Sequence, residues 1–510
     1  MFLNFSDSAK FADIASNLIN GLGFGSNFSF WSSTIFESIK NNVFSAMGIS
    51  PAMPYSIVGF FKIFGVNDFA VIATSFFYFI LTLIFVYLLG KKIFKSKLVG
   101  ALSTLAVGFN YDLIHYATNG ASESPFIFEV VAGLYFASFK KKWANVVTVL
   151  FLILMYFTRP QAFIFMAGLI IYWLISRFGI KKGSILFLGV GVFGILVDKL
   201  IIYPLSYKYP LTPIFMRGLQ AILTYSSSTA VSDSLRGAVS STLGISEIAK
   251  KVFYNLYNFY KALPDIANPY LWGLFFVGIF RWTKDKLITS FKISSIFMLV
   301  CTFLVTAITI PFYRYLHPVI PLVYIIAIET LVFFVSKIFN KKSWIVIITS
   351  VIFFILCIGQ TLGIQILDSR FEARTHNVGK PPVYVELSKI LKENTDPDHV
   401  VITNLDTWGS WYGERKTIWF PLEPKQLIDP ATGKIPFDAI YLTSYLIDDQ
   451  NYYMGNDWRE IFNNPNDSKK WTCDGCDEIV KEFVIKGVYS VNAVDNYERL
   501  DSKAILLVKQ

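Results

Sequence analysis

Charged residues are scarce in three short loops of this otherwise apolar sequence, so the few present are candidates for chemistry. The cations are Arg159, in FTRPQ, and Arg314, in PFYRYLHP, and the acids are Asp112 and Glu123. A charge at a membrane boundary is costly unless it is paired or hydrated. Because guanidinium groups bind phosphate through two parallel hydrogen bonds, the arginines predict an anionic ligand. The alternative is that each arginine anchors its helix at the level of the lipid headgroups.

A fifth charged residue, Asp7, directly precedes a predicted amphipathic helix over residues 8–19. The apolar positions of this helix recur at helical spacing, at Phe11, Ile14, Ala15, Leu18 and Ile19. The Asp7 carboxylate is a candidate for chemistry because it is expected on the same side of the membrane as the two arginines. The alternative is an ordinary N-cap, a position where Asp is favoured. Asp13 falls inside the helix and is expected on its solvated face.

The elements that must position these residues are membrane-spanning helices. Of the 510 residues, 54% are hydrophobic, 16% are charged and 17% are aromatic, a composition that excludes a disordered protein and disfavours a soluble enzyme. About 20 apolar residues cross a bilayer as a helix. About ten segments are candidates, some of them short, near residues 69–90, 98–115, 124–139, 143–157, 161–177, 183–204, 269–281, 287–310, 315–335 and 343–365.

The lysines and arginines between these segments predict the topology. Sixteen of them occupy every second loop, together with a single acid, Asp285. Cation-rich loops stay on the cytoplasmic side, so we expect all five inside. The net charge of +10 is then a topology signature, and no nucleic-acid partner is expected.

The pieces expected on the outer side are residues 1–68, a long loop near 205–268 with a Ser/Thr-rich stretch, and the tail 366–510. Residues 35–47 are predicted as a second helix, and the segment after Pro54 as a helix lying in the interface.

The tail reads as a small α/β domain with a helix over 384–394 and five strands, HVVITNL, KTIWF, FDAIYLT, VKEFVIKGVYSV and KAILLVK. The predicted fold class is an α-helical polytopic membrane domain of about ten spans followed by this domain. Since no signal peptide follows Met1, we expect either a missing first span or a short translocated N-terminus.

Several motifs together resemble the GT-C membrane glycosyltransferases, which include aminoarabinose, mannosyl and galacturonosyl transferases. The stretch from Asp7 through Phe11 to the Gly-rich turn at Gly21 resembles their first outer loop. In the same order, the later motifs each resemble a family segment: Pro54-Tyr55 with FFKIFG, NGASESPF, FTRPQ, RYLHPVIPLVYIIA and HVVITNLDTWGSWYGERKTIWFP. The sequence departs from the family where some members read Lys-Pro-Pro, because Met53-Pro54-Tyr55 stands there. Asp7 also lacks the adjacent second acid of many members.

The resemblance implies an inverting transfer of a sugar from a polyprenyl-phosphate carrier to a glycan, lipid or protein acceptor. The transfer would take place at the outer face of the cell membrane. The resemblance also implies that Asp7 is the general base and that Arg159 and Arg314 stabilise the leaving phosphate. Tyr315, beside Arg314 in the Arg-Tyr motif, is expected to bind substrate. Glu123 would order the acceptor or help to hold a divalent cation, whose use the departures leave open.

Two other function classes fit parts of the sequence. A multi-spanning transporter would share the spans and sparse charge, but no inverted repeat is visible. A non-enzymatic scaffold could bind glycans through Trp408, Trp411 and Tyr412, although packing in the core is the commoner role of such residues. Cys473 and Cys476 form one CxxC, which is either a disulfide or a plain loop, since two ligands do not complete a zinc site.

Overall fold

A computed structural model describes residues 2–32, 34–46, 49–197, 200, 222–223, 242–309, 312–358, 381–444, 454–495 and 498–510. Most of the predicted long loop and the segment 359–380 lie outside the described residues. The helices of the first half are α1 (Ser6–Ile19), α2 (Ile35–Ser38), α3 (Ala52–Phe64), α4 (Asp68–Phe94), α5 (Lys97–Gly108), α6 (Tyr111–Ala117), α7 (Glu123–Ala137), α8 (Lys142–Thr158), α9 (Ala162–Phe178) and α10 (Ile180–Val197). Those of the second half of the membrane region are α11 (Ile245–Ile266), α12 (Pro269–Ile279), α13 (Lys286–Ile308), a 3₁₀ helix (Tyr313–Val319), α14 (Ile320–Ile338) and α15 (Lys342–Phe353).

Within the described residues, each predicted spanning segment overlaps an apolar helix or a pair of helices. Among the residues that the structure describes, three helical stretches are long and apolar enough to cross a membrane by themselves: Asp68–Phe94, Lys286–Ile308 and Tyr313–Ile338. The third is the most enclosed by protein, with 72% of its apolar window buried. Helix α14 therefore forms the centre of the bundle.

One predicted span is divided in two. The expected helix over 98–115 ends at Gly108, and α6 begins after Asn110. The side chain of Asn110 caps α6 by accepting from the Leu113 amide at 3.0 Å, and it donates to the Tyr324 hydroxyl at 2.9 Å. Asparagine is a strong N-cap residue, and this tertiary contact holds it at a chain reversal that the apolar run did not indicate.

Loops that carry the cations contact one another at one end of the bundle. Lys95 pairs with Asp285 at 3.3 Å, which joins the loop after α4 to the loop before α13. Arg177 donates to the Phe139 carbonyl oxygen at 2.8 Å, which joins the loops after α7 and α9, and Lys92 lies over the Phe139 ring. These four loops therefore share one end, as their charge pattern predicted.

The opposite end carries a mixed sheet. Its strands are β2 (Phe28–Ser29), β4 (Val400–Thr403), β5 (Lys416–Trp419), β6 (Ala439–Thr443), β7 (Phe483–Asp495) and β8 (Glu498–Lys509), in the order β2-β5-β4-β6-β8-β7. Strands β2, β5, β4 and β6 are parallel, whereas β8 runs antiparallel to both neighbours. The helices of this region are α16 (Val383–Asn394), α17 (Trp408–Trp411), α18 (Gly455–Asn463) and α19 (Cys476–Glu482). The five predicted strands and the predicted helix are all present.

Parts of the first 68 residues pack with the C-terminal domain. Strand β2 lies at the edge of its sheet, with Phe28 opposite Thr417. The predicted helix over 35–47 is wrong, because helix α2 ends at Ser38 and β3 (Phe44–Ser45) follows, paired with β1 (Gly25–Ser26). The Phe44 side chain is buried in the core of the C-terminal domain, and this burial decides the local structure against helix propensity.

Candidate active site

Asp7 lies in the first turn of α1 and does not cap it. The N-cap residue is Phe5, which makes no side-chain cap hydrogen bond. Asp7 instead accepts from Arg314 Nη1 at 2.8 Å across 307 positions of sequence. The side chain is 52% exposed, so it lies in an open recess. The N-cap alternative is therefore wrong for this residue.

The charges around Asp7 keep its carboxylate ionised. Burial among protein atoms would raise the pKa of Asp7, but the opposite charge and hydrogen bond of Arg314 outweigh burial. Arg159 and Lys10 act in the same direction, and the net effect lowers the pKa below its ordinary value. A carboxylate in this state is an acceptor at neutral pH.

Glu123 and Arg159 form a buried ion pair beside Arg314. Arg159 Nη1 lies 2.7 Å from Glu123 Oε1, and their side chains are only 8% and 4% exposed. Arg159 Nη1 also donates to the Ser122 hydroxyl at 2.9 Å, and Arg314 Nε lies 3.9 Å from the same Glu123 oxygen. Asp7, Arg314, Glu123 and Arg159 therefore form one continuous chain of alternating charge.

Local sequence explains how the two arginines reach this point. Helix α8 ends at Thr158, and Arg159 takes an extended conformation, as expected for a residue that precedes a proline. Arg314 lies in the 3₁₀ helix that leads into α14. The ring centroid of Tyr315 lies 5.8 Å from the Arg159 guanidinium carbon and 5.9 Å from that of Arg314. The predicted site residues are thus brought together from four separate elements.

Several polar atoms at this site lack a partner. Arg159 Nε and both amide atoms of Gln161 are buried and make no hydrogen bond to any residue that the structure describes. The same holds for the Ser8 hydroxyl, one residue beyond Asp7. Buried polar groups in native proteins are almost always paired. The site therefore has unused hydrogen-bonding capacity that a polar ligand could fill.

A second polar pair lies close by and was not predicted. His317 Nε2 lies 2.8 Å from Asp112 Oδ2, and the ring is 2% exposed. His317 Nδ1 is 3.5 Å from the hydroxyl of Tyr116. Histidine spacing in the sequence gave no hint, because Asp112 and His317 are 205 positions apart.

Asp13 is not on a solvated face, so that prediction is wrong. Its carboxylate is 2% exposed and accepts from the Ser26 hydroxyl at 2.7 Å, the Asn27 amide at 2.6 Å and the Asn27 side chain at 2.8 Å. Burial raises its pKa despite these bonds. Asp13 fixes the turn that leads α1 into β2.

The three aromatic residues after Asp406 pack and tie the C-terminal domain to the bundle. Trp408 is buried and stacks on Tyr384 with centroids 4.4 Å apart. Trp411 Nε1 and the Tyr412 hydroxyl donate to the two carboxylate oxygens of Asp68, at 2.7 and 2.8 Å. This arrangement matches the packing role rather than sugar stacking.

The remaining predicted features concern sulfur and metal. Cys473 and Cys476 are joined by a disulfide in the C-terminal domain. Within the described ranges, no cluster of three or more His, Cys, Asp or Glu side chains could hold a metal ion. At the site itself the two carboxylates are bridged by Arg314.

Comparisons with known proteins agree with this architecture. Residues 49–203 match a family model described as dolichyl-phosphate-mannose-protein mannosyltransferase. The crystal structure of ArnT from Cupriavidus metallidurans in the apo state is similar, with a TM-score of 0.50 and 12% identity over 98% of this chain and 93% of that one. ArnT bound to undecaprenyl phosphate matches with a TM-score of 0.45 and 11% identity, over 98% and 94%. No curated protein matches the sequence.

The likeness to apo ArnT shows a shared fold, and the family match covers the region from α3 to the end of α10. Both agree with the resemblance found in the sequence motifs. The comparisons therefore show a fold shared with apo ArnT and a match of about a third of the chain to one mannosyltransferase family model.

Proposed function

We propose that the protein transfers a sugar from a polyprenyl-phosphate carrier to an acceptor hydroxyl, with inversion at the anomeric carbon. The observation that carries the proposal is the chain of charges from Asp7 through Arg314 and Glu123 to Arg159. It provides a carboxylate and two guanidinium groups at one end of an apolar helix bundle. A carrier whose tail lies in lipid and whose phosphate lies at the boundary suits that position.

The arginines support a phosphate-linked donor. Arg314 is about one-third exposed, and Arg159 retains an unused Nε–H. Guanidinium groups bind phosphate in a bidentate manner and stabilise the charge that develops as it departs. The description of the matching family model names a donor of this class, dolichyl-phosphate-mannose.

Asp7 is the proposed general base. The acceptor O–H proton passes to the Asp7 carboxylate as the acceptor oxygen bonds to the anomeric carbon. The bond from that carbon to the phosphate oxygen breaks, and its electron pair leaves with the phosphate. A phosphate departs without strong protonation, so no second acid is required. A single displacement inverts the anomeric configuration.

Glu123 is proposed to orient the arginines. It contacts both of them and is almost fully buried, which supports a role in fixing the guanidinium planes. Tyr315 lies against both guanidinium groups and would limit their movement on its side. The two roles that the resemblance implied for Glu123, ordering the acceptor or helping to hold a divalent cation, have less support.

The proposed location of the reaction is the outer face of the cell membrane. Four cation-rich loops meet at the end of the bundle away from Asp7, and such loops favour the cytoplasmic side. The site and the C-terminal domain would then be extracytoplasmic. Membrane lipid, the carrier-linked donor and a glycan, lipid or protein acceptor are the proposed partners.

The test is transfer by membranes containing the full chain, given a panel of undecaprenyl-phosphate-linked sugars. We expect Asp7→Asn to reduce the rate by about 10²-fold or more, the range for loss of a general base. Asp398→Asn is the matched control, because Asp398 is an exposed aspartate in the C-terminal domain. A wild-type rate in Asp7→Asn would remove this residue from the mechanism. Failure of wild-type membranes with every donor would contradict the proposed donor class.

A further inference from the structure

The loop that follows β4 holds the residue next to Asp7. The Thr407 hydroxyl donates to the Ser6 carbonyl oxygen at 2.6 Å. The Ser6 side chain also acts to lower the pKa of the Asp406 carboxylate. Ser6 is therefore bonded through its backbone to Thr407 and lies beside Asp406, two neighbouring residues of the C-terminal domain about 400 positions away in sequence.

Hydrogen bonds fix this loop to the rest of the C-terminal domain. The Asn404 side chain donates to the Thr443 carbonyl oxygen at 2.7 Å and accepts from the Thr443 amide at 2.9 Å, which fixes it to β6. Asp406 takes a left-handed backbone conformation with φ of +54°, and its Oδ1 accepts from the Thr407 amide at 2.7 Å. Non-glycine residues in this region persist only where their surroundings enforce it, often at functional sites.

The same domain also forms hydrogen bonds to the backbone that precedes Ser6. The Leu3 amide donates to the Tyr412 hydroxyl at 2.8 Å, and the Leu3 carbonyl oxygen accepts from the Tyr384 hydroxyl at 2.8 Å. Asp7, the next residue, accepts a hydrogen bond from Arg314. Since α1 lacks a side-chain N-cap bond at Phe5, these contacts from the C-terminal domain secure the start of the helix instead.

We propose that Asp406 and Thr407 form a clasp that positions Asp7 for catalysis, so that the C-terminal domain is part of the active site. The proposal rests on the proposed function, which makes Asp7 the base. The clasp residues are positioning residues, because they act through Ser6. Two charged groups of α1 face Asp406, namely Lys10 and Asp7, so its carboxylate also belongs to the electrostatic surroundings of the base.

The test compares Thr407→Val, Thr407→Ser and Thr417→Val in the purified full chain. Valine keeps the shape of threonine and removes the hydroxyl, whereas serine keeps the hydroxyl. Thr417 is the matched control, since it is buried in β5 of the same domain and its hydroxyl has no partner among the residues described. The measurements are kcat and KM with a polyprenyl-phosphate sugar that wild type uses, and hydrogen–deuterium exchange of residues 2–10.

We expect Thr407→Val to lower kcat about tenfold or more, because small misplacements of a catalytic group are costly, with KM for the donor nearly unchanged. Amides at the start of α1 should exchange faster in this variant alone, while Thr407→Ser and Thr417→Val behave as wild type. Unchanged exchange, or faster exchange with normal kcat, would overturn the clasp. The exchange measurement needs no turnover, so the clasp can fail while Asp7→Asn still abolishes transfer. Full activity of Asp7→Asn would instead defeat the base assignment.

Discussion

The buried pair of Glu123 and Arg159 offers a way to separate stability from catalysis. Glu123→Gln leaves the Arg159 charge buried without its closest partner. A double variant, Glu123→Leu with Arg159→Met, replaces both charges by apolar side chains of similar volume. We expect the single variant to be much less stable than wild type, the double variant to recover most of the loss, and both to be inactive in transfer.

The magnitude follows from distance and burial. Breaking a buried ion pair costs about 3–5 kcal/mol, while replacing both members by apolar groups is often neutral. The pair qualifies as buried, since its 2.7 Å contact joins side chains 8% and 4% exposed. Glu386 and Lys389 make a contact of the same length in solvent, with side chains 34% and 49% exposed. For that pair Glu386→Gln should cost under about 1 kcal/mol.

The assay is thermal unfolding of the detergent-purified chain, paired with transfer activity in membranes. Glu123→Gln should lower Tm by roughly 5 °C, and Glu386→Gln by no measurable amount. Equal Tm values for Glu123→Gln and Glu386→Gln would refute the burial argument. A double variant that transfers sugar at the wild-type rate would refute the role of Arg159 at the phosphate.

Further predictions concern the other parts of the site. Arg314→Lys keeps the charge but loses the planar fork, so binding of undecaprenyl phosphate should weaken about tenfold in Kd, whereas Arg459→Lys in the C-terminal domain should bind normally. Burial raises the pKa of Asp406 to about 6, so its ionisation between pH 5 and 7 adds a negative charge near Asp7 and increases that group's proton affinity. In wild type, kcat/KM should therefore rise with pH through this range. Asp406→Asn should abolish this rise, and asparagine suits the left-handed backbone at this position. An unaltered pH profile in the variant would argue against coupling between Asp406 and Asp7. Tyr412→Phe removes the hydroxyl that joins the C-terminal domain to α4 and to the N-terminal segment before α1, so Tm should fall with about 1–3 kcal/mol of lost stability, and an unchanged Tm would contradict that contact.

The sequence predicts those features whose cause is local. An apolar run of about 20 residues can only be buried or inserted in lipid, so the helices were found within a few residues. The strands of the C-terminal domain are short apolar runs that carry β-branched residues, so the sequence predicts them as well. The break at Asn110 was missed because its partners Ile266 and Tyr324 come from elsewhere in the chain.

Non-local contacts explain the errors at the site as well. The apolar positions of α1 leave Asp13 outside the apolar face, which predicts exposure. In the structure Ser26 and Asn27 cover it and bond to its carboxylate. The clasp at Asp406 could not be predicted, because nothing near it in sequence suggests contact with Ser6. The cost of charge at a membrane boundary predicts Glu123, Arg159 and Arg314 as site residues, and the family motifs add Asp7 and Tyr315. The structure places all five together. Their catalytic roles stay predictions.

The charge balance of the site indicates how donor binding could activate the base. As it stands, the carboxylates of Asp7 and Glu123 balance the guanidinium groups of Arg159 and Arg314. A donor phosphodiester brings one further negative charge and would compete with Asp7 for Arg314, whose exposed position allows the exchange. Glu123 and Arg159, buried and paired, would hold their places. Asp7 would then lose the interaction that lowers its pKa and become a stronger base once the donor is bound. In this proposal, the arginine that stabilises the leaving group also restrains the base in the empty site.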